Sequence, residues 1–161
     1  MLSVITSEPS ETTSEMERFK NANLICEILT YESNPFIDII VNDDKYMKQL
    51  WAFVSIDDST DSLDVVPKQS TTLNPLLASF FTKVFLHLFT HKLDIVMDFL
   101  SRQEPPNDFV SVILRHINAS AIMDLMFKTW EYVQLDRKSD KISKYNEVSC
   151  DWLLSVLFFK R

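Results

Sequence analysis

The stretch LNPLLASFFTKVFLHLFTHKLDIVMDFL, residues 73–100, decides how the chain folds. Asn74-Pro75 supplies a helix N-cap followed by a proline in the first turn, where its missing N–H costs nothing. Beyond it Leu76/Leu77, Phe80/Phe81, Val84/Phe85 and Leu88/Phe89 recur every four residues, the spacing of a helix face. The remaining stripe is Ser79, Lys83, His87 and His91. So wide a face predicts neighbours on two sides, as in stacked helices, rather than one amphipathic helix facing water. A shorter helix follows, with Leu93, Val96, Phe99 and Leu100 inward and Asp94, Asp98 and Arg102 outward, and Pro105-Pro106 ends it.

The same rhythm extends in both directions. Upstream, Phe19, Ala22, Ile25, Cys26 and Leu29 share a helical face. Asn34 reads as the cap of a helix begun by Pro35 in PFIDIIVN, and Asp43 or Asp44 opens a third that presents Tyr46, Met47, Leu50, Trp51 and Val54. Downstream, a helix starting near Asn107 or Asp108 runs through Phe109, Val110, Ile113, Leu114 and Ile117. The segment SAIMDLMFKTWEYV is expected to bury Ile122, Met123, Met126, Phe127, Trp130 and Val133, with Asp124 and Lys128 paired at i,i+4 on the other side. Helices of about 10 to 17 residues separated by short breaks predict an all-α chain, an α-solenoid of HEAT/armadillo-like stacked helix pairs. No literal sequence repeat supports this; the rhythm alone carries it.

Three regions result. Residues 1–17 read as an acidic N-terminal loop, since TSEPSETTSEME at 6–17 holds four glutamates, six Ser or Thr and no basic residue. Residues 18–134 form the helical-repeat domain, broken by a polar connector at 57–72, DDSTDSLDVVPKQSTT. Residues 135–161 are a divergent tail. Its first part is charged, and its last, DWLLSVLFFKR, is apolar with no evident partner. Such a segment either packs back on the last helices or marks an incomplete chain.

Composition narrows function. The 161-residue chain contains no glycine, where average usage of about 7% would give roughly 11. A Walker A loop, a GxGxxG turn, a kinase glycine-rich loop and a GxSxG elbow are thereby excluded, and tight β-hairpins are disfavoured. Helices need glycine only at C-caps, where Asn can replace it. A net charge of −7 opposes nucleic-acid binding and favours protein partners. Cys26 and Cys150 read as buried free thiols of a reducing compartment. With neither a signal sequence nor a bilayer-length apolar run, the chain is expected in the cytoplasm or nucleocytoplasm, without a membrane.

The chemistry-bearing residues are few. His87 and His91 stand at metal-binding spacing, with Asp94 or His116 as a conceivable third ligand, but Leu88 occupies the place of the glutamate a zincin requires. The rival reading is thus a small helical metal-binding or enzymatic protein built on His87 and His91. Asp43/Asp44 and Asp57/Asp58 lie in polar segments and read as solvated, no serine has a nucleophile context, and Asn118-Ala119-Ser120 reads as a helix junction rather than a glycan acceptor. No catalytic residue, metal or cofactor is assigned.

Several of these segments resemble the SAPS family, the regulatory subunits of protein phosphatase 6 and their yeast counterpart. The resemblance lies in LNPLLASFFTKVF from Leu73, KLDIVMDFL from Lys92, Asp108-Phe109-Val110, Arg115-His116-Ile117 and SAIMDL from Ser120, all in the family's order. ITSEPSE, ICEIL at 25–29 and LWAFV at 50–54 agree as well. The resemblance implies a non-catalytic helical scaffold that binds a serine/threonine phosphatase catalytic subunit and, with it, ankyrin-repeat subunits. Family metallophosphatases carry glycine-containing metal-binding turns, which a glycine-free chain cannot form. Outward residues within the matching blocks are the candidate partner contacts: Lys83, His87, Arg115, His116, Asp124 and Lys128. The family places a glycine before SAIMD, so Asn118 is the residue expected at positive φ.

Overall fold

The computed structural model describes residues 1–7, 17, 19–31, 35–55 and 73–136, with the backbone alone at 133–136. Its elements are α1 (Leu2–Thr6), α2 (Lys20–Leu29), α3 (Phe36–Asn42), α4 (Asp44–Trp51), α5 (Pro75–His91), α6 (Leu93–Ser101), α7 (Phe109–Arg115) and α8 (Ser120–Asp136). No strand occurs among the described residues. Asn34, the connector 57–72, the side chain of Val133, Cys150 and the tail beyond 136 lie outside them, as does most of the acidic loop.

The polar caps fall where the sequence places them. Asn74 accepts from the N–H groups of Leu76 and Leu77 at the start of α5, Asp43 from Lys45 N–H at α4, and Asp108 from Ser111 N–H at α7. Each satisfies donors that a helix start leaves without partners. Residues 2–6, read as part of the acidic loop, instead form α1, whose Leu2 and Ile5 are buried where it packs on α2, α4 and α5. Three-residue spacing of two apolar side chains suffices for one buried turn.

Helix ends meet the absence of glycine differently from expectation. No described residue has positive φ, Asn118 included. After α7 the backbone turns through His116 at φ −107°, ψ 19°, and Ala119 N–H bonds the His116 carbonyl at 2.9 Å. Such a tight turn works with negative φ throughout, so the position does not require the left-handed conformation. Thr30 and Arg102 end α2 and α6 in the same way, with their N–H groups on carbonyls in the last turn.

Packing is organised by α5. It lies between α2 and α8 and also contacts α1 and α6, and it buries Leu77, Ala78, Phe81, Thr82, Val84, Phe85, Leu88 and Phe89. Trp51, at the end of α4, is where four helices meet. Its ring lies 5.6 Å from Phe85 and 6.4 Å from Phe81 on α5, edge-on to Phe99 of α6, and stacked at 18° on Phe109 of α7. The indole N–H donates to the Asn107 carbonyl at 3.0 Å, so burying this ring strands no polar atom. Each fully buried Leu or Phe in this core contributes about 1.5–3 kcal/mol of transfer free energy. At the periphery, Lys92 pairs with Asp38 and Arg102 with both Asp44 and Asp98. The result is all-helical, in packed pairs, as a helical solenoid requires.

Two expectations about burial fail. On α8 the covered stripe is Ile122, Leu125 and Thr129, with Met126 and Trp130 half-buried, whereas Met123 is 41% and Phe127 57% exposed. Thr129 tolerates burial because its hydroxyl donates back to the Leu125 and Met126 carbonyls. Leu114 and Ile117, expected inward, are 46% and 40% exposed. The cause is that α7 stops at Arg115 and so never carries Ile117 around to the core.

Candidate functional site

Four of the six candidate contacts come together. α5 and α8 run side by side in the same direction: Thr82, midway along α5, donates to the carbonyl of Ala121 near the start of α8 at 3.1 Å, and further along both helices Phe89 meets Tyr132 edge to face, 6.3 Å apart. Parallel neighbours of this kind are what stacked repeats produce. Between them opens a groove of about 710 Å³ lined by Lys83 and His87 from α5, Asp124 and Lys128 from α8, and Thr30 after α2.

The groove carries charges of both signs that do not neutralise each other by contact. Lys83, Asp124, Lys128 and Glu131 are exposed. Among the described residues none of the ion pairs joins them, so the expected Asp124–Lys128 pair does not form. Instead both side chains line the groove with Lys83 and Glu131. Two cations and two anions on one wall-to-wall surface suit a protein partner of interspersed charge better than a single anionic ligand. Hydroxyls of Ser79, Thr82, Thr90 and Tyr132 surround them.

The histidines serve the helix end. Their rings are 4.2 Å apart between centroids, and His91 Nδ1 lies 2.9 Å from the His87 carbonyl, which also accepts from the Thr90 hydroxyl. Neither proposed third ligand joins them: among the described residues no three His, Cys, Asp or Glu side chains are grouped to hold a metal ion.

Arg115 and His116 stand apart from the groove. Arg115 donates to the Val54 and Pro106 carbonyls, and His116 Nε2 bonds the Val54 carbonyl at 3.0 Å. They pin the end of the α4 segment to the α7 junction. Burial holds the His116 imidazole below its ordinary pKa, with the neighbouring Arg115 charge acting in the same direction and the Val54 bond against it. Behind the groove, Cys26 is a buried free thiol whose pKa burial pushes up, although Lys83 acts the other way.

Glu131 and Tyr132 escaped the sequence reading, although Glu131 follows Lys128 by three and Asp124 by seven, one turn and two turns along the same face. Thr30 carried no such signal, because only tertiary packing brings the end of α2 here.

Known proteins bear out the resemblance. The chain is 37% identical over 128 residues to serine/threonine-protein phosphatase 6 regulatory subunit 3-B of Xenopus laevis, covering 80% of this chain. It is 34% identical over 149 residues to regulatory subunit 1 of Homo sapiens, covering 91%. Extragenic suppressor of kinetochore protein 1 of Schizosaccharomyces pombe is 30% identical over 141 residues, 88% of this chain. The chain spans 13%, 15% and 14% of the length of these three relatives. No family model and no solved structure matches it. With the blocks from Leu73 to Leu125 set on an all-helical framework, the chain belongs to the SAPS family, to which the phosphatase 6 regulatory subunits belong.

Proposed function

We propose that this chain is a non-catalytic regulatory segment that binds the catalytic subunit of a phosphatase 6-type serine/threonine phosphatase and targets or regulates it. The observation that carries the reading is the α5–α8 groove, where Lys83, His87, Asp124 and Lys128 converge, in a chain similar to relatives named as regulatory subunits. Lys83, Asp124 and Lys128, which form no ion pair among the described residues, suit a partner that supplies the complementary charge. Arg115 and His116 bond the Val54 and Pro106 carbonyls and lie outside this groove. Ankyrin-repeat subunits join the assembly in this reading, in the cytoplasm and nucleus. Nucleic acid has no part in it, nor has a membrane; among the described residues no helix is long and apolar enough to cross one.

The test is affinity capture from cells expressing the full chain. The phosphatase 6 catalytic subunit is expected in the eluate, and Lys83→Glu with Lys128→Glu should cut its recovery at least about tenfold, the loss of roughly 1.4 kcal/mol of binding free energy. A folded double variant that recovers as much phosphatase as the parent would remove the groove from the interface. Failure of the parent chain to recover any would remove the function.

A further inference from the structure

The two contacts that tie α5 to α8, Thr82 to Ala121 and Phe89 to Tyr132, join residues 39 and 43 positions apart. Between those offsets, at 41, stand three pairs that line the groove: Lys83 with Asp124, His87 with Lys128, and Thr90 with Glu131. In parallel helices a constant offset is a constant height, so the pairs form three rungs, matched to within about 3 Å at 1.5 Å per residue. The first rung holds one charge of each sign. The second carries the ammonium of Lys128, and the third the carboxylate of Glu131, with the hydroxyls of Thr90 and Tyr132 lining the same groove. Among the described residues none of these four charged groups is in an ion pair. Leu86 and Ala121, both half-buried, add apolar lining.

We infer that the groove receives one α-helix of the partner, laid lengthwise, with an acidic side chain at the Lys128 rung and a basic side chain at the Glu131 rung, three or four residues apart. The inference rests on the phosphatase reading for the identity of the partner, and adds which kind of element binds and in what charge order. Spacing selects the helix. Along each wall the rungs follow at four and then three residues, about 6 and 4.5 Å, or roughly 10.5 Å in all. A partner helix repeats that interval with its own i, i+4 and i+7 positions. In an extended peptide the side chains facing one way recur every 6.6 Å or so, and the third falls about 3 Å beyond its rung. An extended peptide also needs an open backbone edge to pair with, whereas both walls here are helices, whose N–H and C=O groups bond internally. Charge order then fixes the register. A slip of one turn in either direction brings a basic group onto Lys128 or an acidic group onto Glu131, and such like-charge contacts exclude the wrong alignment.

Lys128→Glu combined with Glu131→Lys inverts the order while leaving the net charge and the number of groove charges unchanged, so long-range attraction is preserved. In affinity capture from cells expressing the full chain, this exchange should lower recovery of the phosphatase 6 catalytic subunit at least about tenfold, with helical circular dichroism equal to the parent's. A second measurement needs no variant. Carbodiimide coupling of the captured parent complex, followed by peptide mapping, should join Lys128 to a partner carboxylate and Glu131 to a partner lysine three or four residues from it in the same segment. Equal recovery by the parent and the folded exchange variant overturns the inference and leaves the phosphatase reading standing. Links from Lys128 and Glu131 to partner residues two apart, or in separate segments, do the same. A parent chain that recovers no phosphatase overturns both.

Discussion

α5 and α8 are both 17 residues long, lie parallel in one layer and both read as apolar helices, yet they differ in enclosure. α5 has helices on both sides and aromatic rings packed against it; α8 packs on α5 and α7 and leaves Met123 and Phe127 exposed. The difference teaches that sequence apolarity sets how much surface a helix can bury, while its place in the stack sets which stripe is buried. On α5 almost every apolar column finds a neighbour. On α8 the stripe rotates so that Ile122, Leu125 and even Thr129 are covered, leaving Met123 and Phe127 outside.

The sharpest way to break this comparison is truncation of matched core residues. Leu88→Ala in α5 and Leu125→Ala in α8, each 1% exposed, should lie near the high and the low end respectively of the roughly 2–5 kcal/mol range, because an edge helix can relax into the gap. Urea titrations giving equal losses would mean that α8 is as enclosed as α5. Next in size is the polar tie between them. Thr82→Val removes the hydroxyl that reaches the Ala121 carbonyl and should cost about 1–2 kcal/mol by the same measurement. Asn74→Ala removes the cap of α5 and should cost about 1 kcal/mol, seen as a lower thermal midpoint with unchanged helical content at low temperature.

The smallest expected effect concerns the junction that holds α8 in place. His116 is neutral in the fold and its pKa lies below the ordinary value of about 6.5. The unfolded chain therefore binds the proton first as pH falls, and stability drops as pH goes from about 7 down through the folded pKa. His116→Gln keeps a donor for the Val54 carbonyl without titrating. Its unfolding midpoint should vary less than the parent's over that interval; identical profiles would remove His116 from the pH response.

Much of this was legible beforehand. Asn74, Asp43 and Asp108 cap the helices expected of them, and the four-residue recurrence from Leu77 to Phe89 reports a helix packed on more than one side. The face of α8 was not legible, because Ile122/Met123 and Met126/Phe127 are adjacent apolar pairs that periodicity cannot rank; contact with α5 chooses between them. The Leu2/Ile5 turn was hidden by its acidic neighbours. Of the candidate contacts, Lys83, His87, Asp124 and Lys128 share a groove because two polar stripes, each visible alone, face each other across parallel helices. Arg115 and His116 sit in an equally well-matched block, but backbone carbonyls take up their donors, and no one-dimensional pattern announces that.

Cys26 gives the layer an internal gauge. A thiol fully enclosed between α2 and α5, and held in its protonated form by burial, reacts with an alkylating reagent only when those helices part. Its labelling rate in the intact chain therefore counts separations of α2 from α5, and a partner that clamps the neighbouring groove would slow that clock without touching the sulfur.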